Sequence, residues 1–471
     1  LLIWAWGRER SAVSFGPKVF WFFFSKKNDF LFYVSVKPVD LLSISLIICS
    51  RGRPDSLART LDGVAFLRHP AFEVIAVIDP GDLETASCVA RHAPAARVGA
   101  CQPANLAMAR NVGLAMARGD IVAFLDDDAV PEPDWLDRLE TAYGDPKVSA
   151  AGGFIRGRDG IKFQYRVVLI DEFGGDHKVR LVPRRLAPGW FVSLTGTNFS
   201  ARRAAALAVG GFDENYPYFL EETDFLLRLA AQGGRIAVVP EAEIYHFQAS
   251  SALRDARGVP ASLEIIARSK AYYCVINRRP VTSAADVTKA LDMFSGQKTR
   301  RIRAHVRAGR VTEAQAAGLL AGLESGLRAG RKLAEVGRNL PRLDPDNGVF
   351  AGLGPAARPA RGRLCVLLDA VPLAQARLRE IREIAGEDVE VTVMGNGAGL
   401  RSVVGFEAGI WRHEIGLAQR VLHGGTAGAV LAEMRRILAR RRFDAVHVAA
   451  ESPALARAAK ASGLPRFSPA A

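Results

Sequence analysis

Between Ser43 and Leu125 three short apolar runs, SISLIIC (Ser43–Cys49), FEVIAVID (Phe72–Asp79) and DIVAFL (Asp120–Leu125), are separated by longer stretches patterned for helices. A strand buried on both faces reads as a continuous apolar run, and parallel strands need a crossover between them, usually a helix. The segment therefore predicts an α/β fold with a parallel sheet. Helices are expected over Pro54–Arg68, with proline in its first turn, around Glu84–His92 and from Ala104 to Arg118. Parallel strands bring their carboxyl ends to one edge, where open α/β sheets bind ligands. All three runs end in polar groups: Ser50 to Arg53, Asp79, and Asp126-Asp127-Asp128.

The pattern is less regular beyond Val148. Strands are expected at Val148–Ile155, Phe163–Ile170, Arg235–Val239 and Ala242–Phe247, with a helix from Glu222 to Gln232 and a Pro/Gly-rich loop, Pro183 to Gly189, before Trp190–Ser200. Val281 to Leu340 reads mainly as helix, and Leu343 to Gly362 as a linker. A second α/β unit follows, with strands Leu364–Leu368, Val389–Met394 and Ala445–Val448 and helices Leu373–Ala385 and Ala427–Arg441. Four segments result: an aromatic-rich leader at 1–40, the main α/β domain at 41–280, a basic helical connector at 281–362, and a short Rossmann-like accessory or truncated unit at 363–471. The leader reads as an extended start, a fragment boundary or an interfacial anchor. Gly395 to Gly399 (GNGAG) follows a strand, but with no clear helix after it the run reads as a turn rather than a phosphate cradle.

Five cysteines, scattered and without a Cys-x-x-Cys pair, argue against a disulfide framework and a zinc site and fit a reducing cytosol. No apolar run approaches the roughly 18 residues of a membrane span. The net charge of +14 implies an anionic partner. Much of the excess lies in KTRRIRAHVRAGR, Lys298 to Arg310, which reads first as a solvated helix face and second as a surface for acidic membrane or glycan. A cytoplasmic location, with peripheral contact at the inner membrane face, follows from these readings.

Three aspartates after an apolar strand (AFLDDDAVP) raise one another's pKa unless a positive charge neutralises them. Capping the next helix needs one oxygen, not three. A hard divalent cation, Mg²⁺ or Mn²⁺, is the simplest neutraliser, and it can bridge a diphosphate and stabilise it as it leaves. A second acidic cluster, Glu221-Glu222-Thr223-Asp224, opens an amphipathic helix, where carboxylates also favour the helix dipole. A carboxylate facing a metal-bound leaving group is what an inverting transfer needs as general base.

Five blocks in order, IICSRGRPDSL, EVIAVIDPGD, ARNVGLAMARGDIVAFLDDDAVPEPDWL, GTNFSARRAAALAVGGFDENY and LEETDFLLRLAAQGGRIAVVPEAEIYH, carry a more specific signal. Over Ser43 to Arg279 the chain resembles the family 2 glycosyltransferases, which have the GT-A fold, a nucleotide-binding α/β/α sandwich, and usually invert the anomeric centre. The resemblance implies a nucleotide-diphosphate sugar as donor and a hydroxyl on a glycan, lipid-linked glycan or protein as acceptor, with no nucleic acid partner. It places Ser50 and Arg53 against the nucleotide, Asp79 at the base, Asp127 on the ribose or phosphate side, and Asp128 on the metal with Asp126 nearby. Glu222 becomes the base, with Glu221 and Asp224 as supports or rivals. His246 matches a histidine that completes the metal site in some members, and Trp190 and Asn198 fall where the acceptor pocket is expected.

Two departures stand out. The second block reads Val-Ile-Asp-Pro-Gly-Asp, so base recognition falls to Asp79 or Asp82, and glutamate replaces the usual aspartate at position 222. In the last unit, Arg442-Phe-Asp-Ala-Val-His447 weakly resembles the amino-terminal half of a GT-B glycosyltransferase. Two other readings remain for the chain. A nucleotidyltransferase would release pyrophosphate instead of a nucleotide, and a polyanion- or glycan-binding scaffold would bind salt-sensitively and indifferently to Asp128 and Glu222.

Overall fold

The computed structural model describes residues 13–15, 18–20, 41–249, 259–352, 362–371, 375–386, 389–441, 443–449 and 452–466. The chain divides into Leu1–Leu42 and Ser43–Ala471. In the first unit an antiparallel hairpin is described, β1 (Val13–Phe15) with β2 (Lys18–Phe20). The rest of the aromatic-rich segment to residue 40 lies outside the described residues.

The second unit opens as the apolar runs require: β3 (Ile44–Ser50), α1 (Pro54–Val64), β4 (Phe72–Ile78), α2 (Leu83–His92), β5 (Arg97–Ala100), α3 (Leu106–Met116) and β6 (Ile121–Asp126). These four strands pair in parallel in the order β5-β4-β3-β6. Then come β7 (Ala129–Pro131), α4 (Trp135–Ala142), β8 (Val148–Arg156), β9 (Phe163–Tyr165), β10 (Val167–Ile170), β11 (Asp176–Val179), β12 (Phe191–Ser193), β13 (Asn198–Arg202), α5 (Arg203–Ala208), α6 (Glu221–Ala231) and β14 (Arg235–His246). β13 enters antiparallel between β6 and β8, and β14 and β7 complete the path, so the large sheet is mixed and parallel-rich, as in a GT-A fold. Its core holds Ile47, Ile75, Phe124 and Leu226, with Phe124 stacked on Phe199 at 4.5 Å and Phe212 on Phe225 at 4.4 Å.

Two strand expectations change. Phe163–Ile170 is two strands in different sheets: half-buried β9 pairs with β8, while fully buried β10 centres a sheet β11-β10-β12. The expected strands Arg235–Val239 and Ala242–Phe247 are one strand, β14, whose register shifts between Val239 and Ile244 around Pro240. Proline cannot donate to the ladder, and an irregularity absorbs it without ending the strand. Gly153 allows this closeness, since a Cβ there would stand 1.8 Å from the Ala242 carbonyl oxygen.

Three helices follow, α7 (Glu264–Ile276), α8 (Ala284–Arg307) and α9 (Glu313–Val336). Capping boxes start the two longer ones, Ser283 with Asp286 and Thr312 with Gln315. α9 lies tight on α7 because Gly326 and Gly330, one turn apart, face the Glu264 and Arg268 carbonyls, which a Cβ would meet at 2.2 Å. The segment expected as a linker is tied down where it is described. Asp346 receives Arg97 and Arg118, and its N–H donates to Ala115.

The last part contains β15 (Gly362–Val371), α10 (Gln375–Ala385), β16 (Val389–Gly397), β17 (Val403–Glu407), β18 (Ile410–Ile415), α11 (Leu417–Leu422), α12 (Thr426–Arg441), β19 (Ala445–Val448) and α13 (Pro453–Ser462). Its sheet runs β17-β18-β16-β15-β19, parallel except for the β17–β18 hairpin, which the sequence reading did not foresee. Apolar clusters cover both faces, around Leu367, Met394 and Met434 on one and Val366, Leu378 and Val393 on the other. After Gly397 the chain bends into a strand, not a helix, so the glycine run lacks the helix N-terminus that would cradle a phosphate.

This sheet docks on the first through a buried cation. Arg441, at the end of α12, and Glu132, after β7, are both fully buried, with Arg441 Nε 3.1 Å from a Glu132 carboxylate oxygen. The guanidinium also lies 4.1 Å from the Trp411 ring centroid and donates to Thr392. It meets His413 Nε2 at 2.8 Å, while His413 Nδ1 is 2.7 Å from Glu433. Burial pushes His413 down to about 4, so the ring is neutral, accepting from Arg441 and donating to Glu433. Removing one member of such a pair strands the other. Arg441→Met is expected to lower unfolding stability by about 3–5 kcal/mol, and Arg441→Met/Glu132→Gln to recover part of that loss in denaturant titrations. Strictly additive losses would mean the pair is not coupled.

Candidate active site

The carboxyl edge of β3, β4 and β6 opens on a cavity of about 720 Å³. Among the expected site residues, Ser50, Arg53, Asp79, Asp126, Asp128, Glu221, Glu222 and His246 line it. Asp127, Asp224, Trp190 and Asn198 stand outside its wall.

Asp127 and Asp128 form the turn from β6 into β7. β7 then pairs antiparallel with β14, Ala129 opposite His246, and this register carries a histidine remote in sequence onto the aspartates. His246 Nε2 lies 3.0 Å from Asp128 Oδ1, and His246 Nδ1 2.9 Å from Gln164 Oε1. One ligand atom from each of Asp126, Asp128 and His246 falls within 4.8 Å of the others. Two carboxylates suit Mn²⁺ or Mg²⁺, and the added imidazole nitrogen is better tolerated by Mn²⁺ than by Mg²⁺, which favours oxygen ligands. Nε2 donates to Asp128 here, and with Nδ1 held by Gln164 it is the nitrogen that would give up its proton to ligate a cation, the usual outer-shell arrangement of a metal-binding histidine. Burial works to raise the Asp128 carboxyl, but His246, the Ala249 N–H and Arg53 outweigh it and hold it below the usual carboxylate range.

Asp127 sits behind this triad with no exposure. Burial pushes it up to about 7, against the pull of Arg53 and the Ser50 hydroxyl. Ser50 Oγ donates to Asp127 at 2.6 Å, and Arg53 pairs with both Asp127 and Asp128. Asp79 is ion-paired with Arg51 at 2.6 Å on the cavity wall. Asp82, its alternative for base recognition, caps α2 through Thr85 N and accepts from Gly52 N.

At the opposite side α6 starts from an unusual backbone. Phe219 and Leu220 both have positive φ, 76° and 69°, a conformation costly for side chains with a Cβ. Packing of Leu220 with Tyr216, Tyr272 and Tyr273 holds the turn, and the strained entry presents Glu221 and Glu222 to the cavity. Glu221 is buried and 2.9 Å from Arg110, and one of its carboxylate oxygens has no hydrogen-bond partner among the described residues. Glu222 is pushed up to about 8, by burial first and then by the neighbouring Glu221 charge, against the pull of Arg110. Asp224 is committed to packing polarity: Arg338, Arg228 and Asn277 hold it at 2.7–2.9 Å, and it is kept below the usual carboxylate range despite its burial.

Asn198 is buried, accepting from Trp135 Nε1 and donating to Ala242 O. Trp190 lies with its ring centroid 4.2 Å from that of His177. Two wall residues escaped the sequence reading. Arg110 lies 3.7 Å from Asp126 besides its pair with Glu221, and Thr197 Oγ1 donates to Asp126 at 2.6 Å. A charged side chain beside buried Ala107 and Leu114 on one apolar helix face was the available signal for Arg110.

The raised Glu222 carboxyl gives stability a pH dependence. Between the ordinary glutamate pKa and about 8, the folded chain keeps a proton the unfolded chain has lost, so stability falls as pH rises through that window. Glu222→Gln removes this penalty. Its melting temperature relative to the parent is expected to be higher at pH 8 than at pH 5; a difference independent of pH would contradict the assignment.

A profile of the family described as "Glycosyltransferase like family 2" matches residues 42–259. An O-antigen biosynthesis protein, RfbC, of Myxococcus xanthus is 27% identical over 45% of this chain and 18% of its own length. An N-acetylglucosaminyl-diphospho-decaprenol L-rhamnosyltransferase of Mycobacterium tuberculosis is 32% identical over 30% of this chain and 49% of its own. The chain thus spans about half or less of these two relatives. A Pyrobaculum calidifontis mannosyltransferase, solved with GDP-Man and Mn²⁺, shares 18% identity over 64% of this chain and 87% of that one, at a TM-score of 0.39. The resemblance of residues 363–471 to half of a GT-B enzyme is not borne out by these matches.

Proposed function

With residues 42–259 belonging to family 2 of the glycosyltransferases, we propose that the chain is an inverting, metal-dependent transferase moving a sugar from a nucleotide diphosphate to an acceptor hydroxyl. The observation that carries this reading is the placement of the Asp126–Asp128–His246 triad and Glu222 on the walls of one cavity. Asp128, Asp126 and His246 would hold Mn²⁺ or Mg²⁺, which when bound stabilises charge on the departing diphosphate. Ser50, Arg53 and Asp127 would order the nucleotide side, and Asp79 the base. Glu222 would accept the acceptor proton as the new bond to the anomeric carbon forms and the bond to the diphosphate breaks on the opposite face. A carboxyl raised to about 8 lies close to neutral pH, where a general base works best.

The acceptor is read as a glycan, lipid-linked glycan or protein. No helix among the described residues is long and apolar enough to cross a membrane, and a cytoplasmic enzyme with peripheral contact at the membrane's inner face fits the basic charge.

Asp128→Ala is expected to abolish Mn²⁺-dependent nucleotide-sugar binding in calorimetry while the far-UV spectrum is kept; unchanged binding would remove the metal assignment. Glu222→Gln is expected to leave donor binding intact and slow transfer by about 10²–10⁴-fold, and full activity would move the base elsewhere. Screening a panel of nucleotide sugars with Mn²⁺ should release nucleoside diphosphate, whereas release of pyrophosphate would make the chain a nucleotidyltransferase.

A further inference from the structure

The basic run of α8 does not behave as one surface. Arg300, Arg301, Arg303 and Arg307 are all exposed; Arg300, Arg303 and Arg307 lie outside the cavity wall, whereas Arg301, together with half-buried Lys298, lines the same cavity as Glu222. Both lie beyond the family-matched segment, which ends at residue 259.

Lys298 is half-buried, with its ammonium 4.9 Å from the centroid of the Phe294 ring. A second ammonium, that of buried Lys270, lies 5.7 Å from the same centroid and donates to the Phe173 carbonyl at 2.5 Å. Two ammonium groups therefore gather at Phe294, with Arg301 three residues along α8 from Lys298, and no salt bridge to any of the three is found among the described residues. The nearest acids are Asp171, which pairs with His177, and Asp176, which is exposed on the cavity wall. Burial and mutual repulsion hold Lys298 below the ordinary lysine range, as expected of a cation short of a counter-ion.

The patch shares the cavity wall with the start of α6. Gly174, next to Phe173, has φ +72°, and a Cβ there would meet Tyr273 at 2.8 Å and Leu220 at 3.4 Å. Leu220 immediately precedes Glu221 and Glu222. On the donor side, by contrast, the wall cations Arg51, Arg53 and Arg110 are already ion-paired with Asp79, Asp127, Asp128, Asp126 and Glu221.

We infer that Lys298 and Arg301 form an oxyanion subsite on the acceptor side, taking a phosphate group carried by the acceptor; this rests on the transferase reading for the word acceptor, not for the binding itself. Arginine and lysine are the residues that recognise phosphate through charge-assisted hydrogen bonds. A phosphate here neutralises the local excess of charge and sets the acceptor hydroxyl on the Glu222 side.

The full chain in EDTA is titrated with farnesyl phosphate and with inorganic phosphate, so no metal complex contributes. Lys298→Gln/Arg301→Gln is expected to weaken both by about tenfold or more, each lost contact being of the size that shifts Kd by about that factor. Arg300→Gln/Arg303→Gln on the same helix should change neither by more than about twofold. Tighter binding of farnesyl phosphate than of inorganic phosphate assigns the subsite to a lipid-borne phosphate, and equal binding assigns it to the phosphate alone. Equal weakening by the two double variants, which is diffuse polyanion or membrane attraction, overturns the subsite, as does no weakening by the cavity pair. None of these readouts needs sugar transfer, so a negative donor screen leaves them standing.

Discussion

Arg110 carries a buried positive charge 2.9 Å from Glu221 and 3.7 Å from Asp126, and both acidic clusters of the cavity depend on it. Two unit charges 4 Å apart interact by about 4 kcal/mol at an effective dielectric near 20. Without a cation between them, the β6 end and the α6 start would push one another toward protonation. The guanidinium itself rests over the Phe124, Phe199 and Phe212 rings, at 5.5–5.9 Å. The aromatic core of the first sheet therefore reaches the cavity through one side chain, and repacking that core shifts the charge on which the clusters rely.

Neutralisation within the cavity is deliberately incomplete. Arg53 answers Asp127 and part of Asp128, and Arg110 answers Glu221 and part of Asp126. No salt bridge to Glu222 is found among the described residues, Arg110 being engaged by Glu221, and its carboxyl rises to about 8. The same arithmetic explains why Asp224, two residues further along α6, has a different role: Arg228 and Arg338 neutralise it, and it ties α6 to the segment after α9. Neighbouring carboxylates on one helix are thus separated by their counter-ions into a reactive group and a structural one.

Short-range pattern made much of this legible. The strand ends at Ser50, Asp79 and Asp126, the metal-suited aspartates and the start of α6 could all be read from apolar runs and the polar residues that close them. His246 was reached through family resemblance, since its approach to Asp128 depends on the β7–β14 register, and register between strands over a hundred residues apart leaves no local mark. Asn198 shows the converse. An amide in a motif-bearing segment looked available for an acceptor, but β13 turns it inward to bond Trp135 and Ala242.

Sequence alone determined the parallel α/β start, the edge at which chemistry gathers and the acidic residue types that a divalent cation requires, because strand period, helix length and charge are local properties of the chain. Tertiary structure decided which carboxylates face the cavity and which are neutralised. It also brought His246 and Gln164 to the triad, split the basic run of α8 between solvent and cavity, and seated Arg441 of the last unit on Glu132 of the first. Each of these depends on where a distant side chain places its charge, and burial magnifies that placement by lowering the dielectric around it.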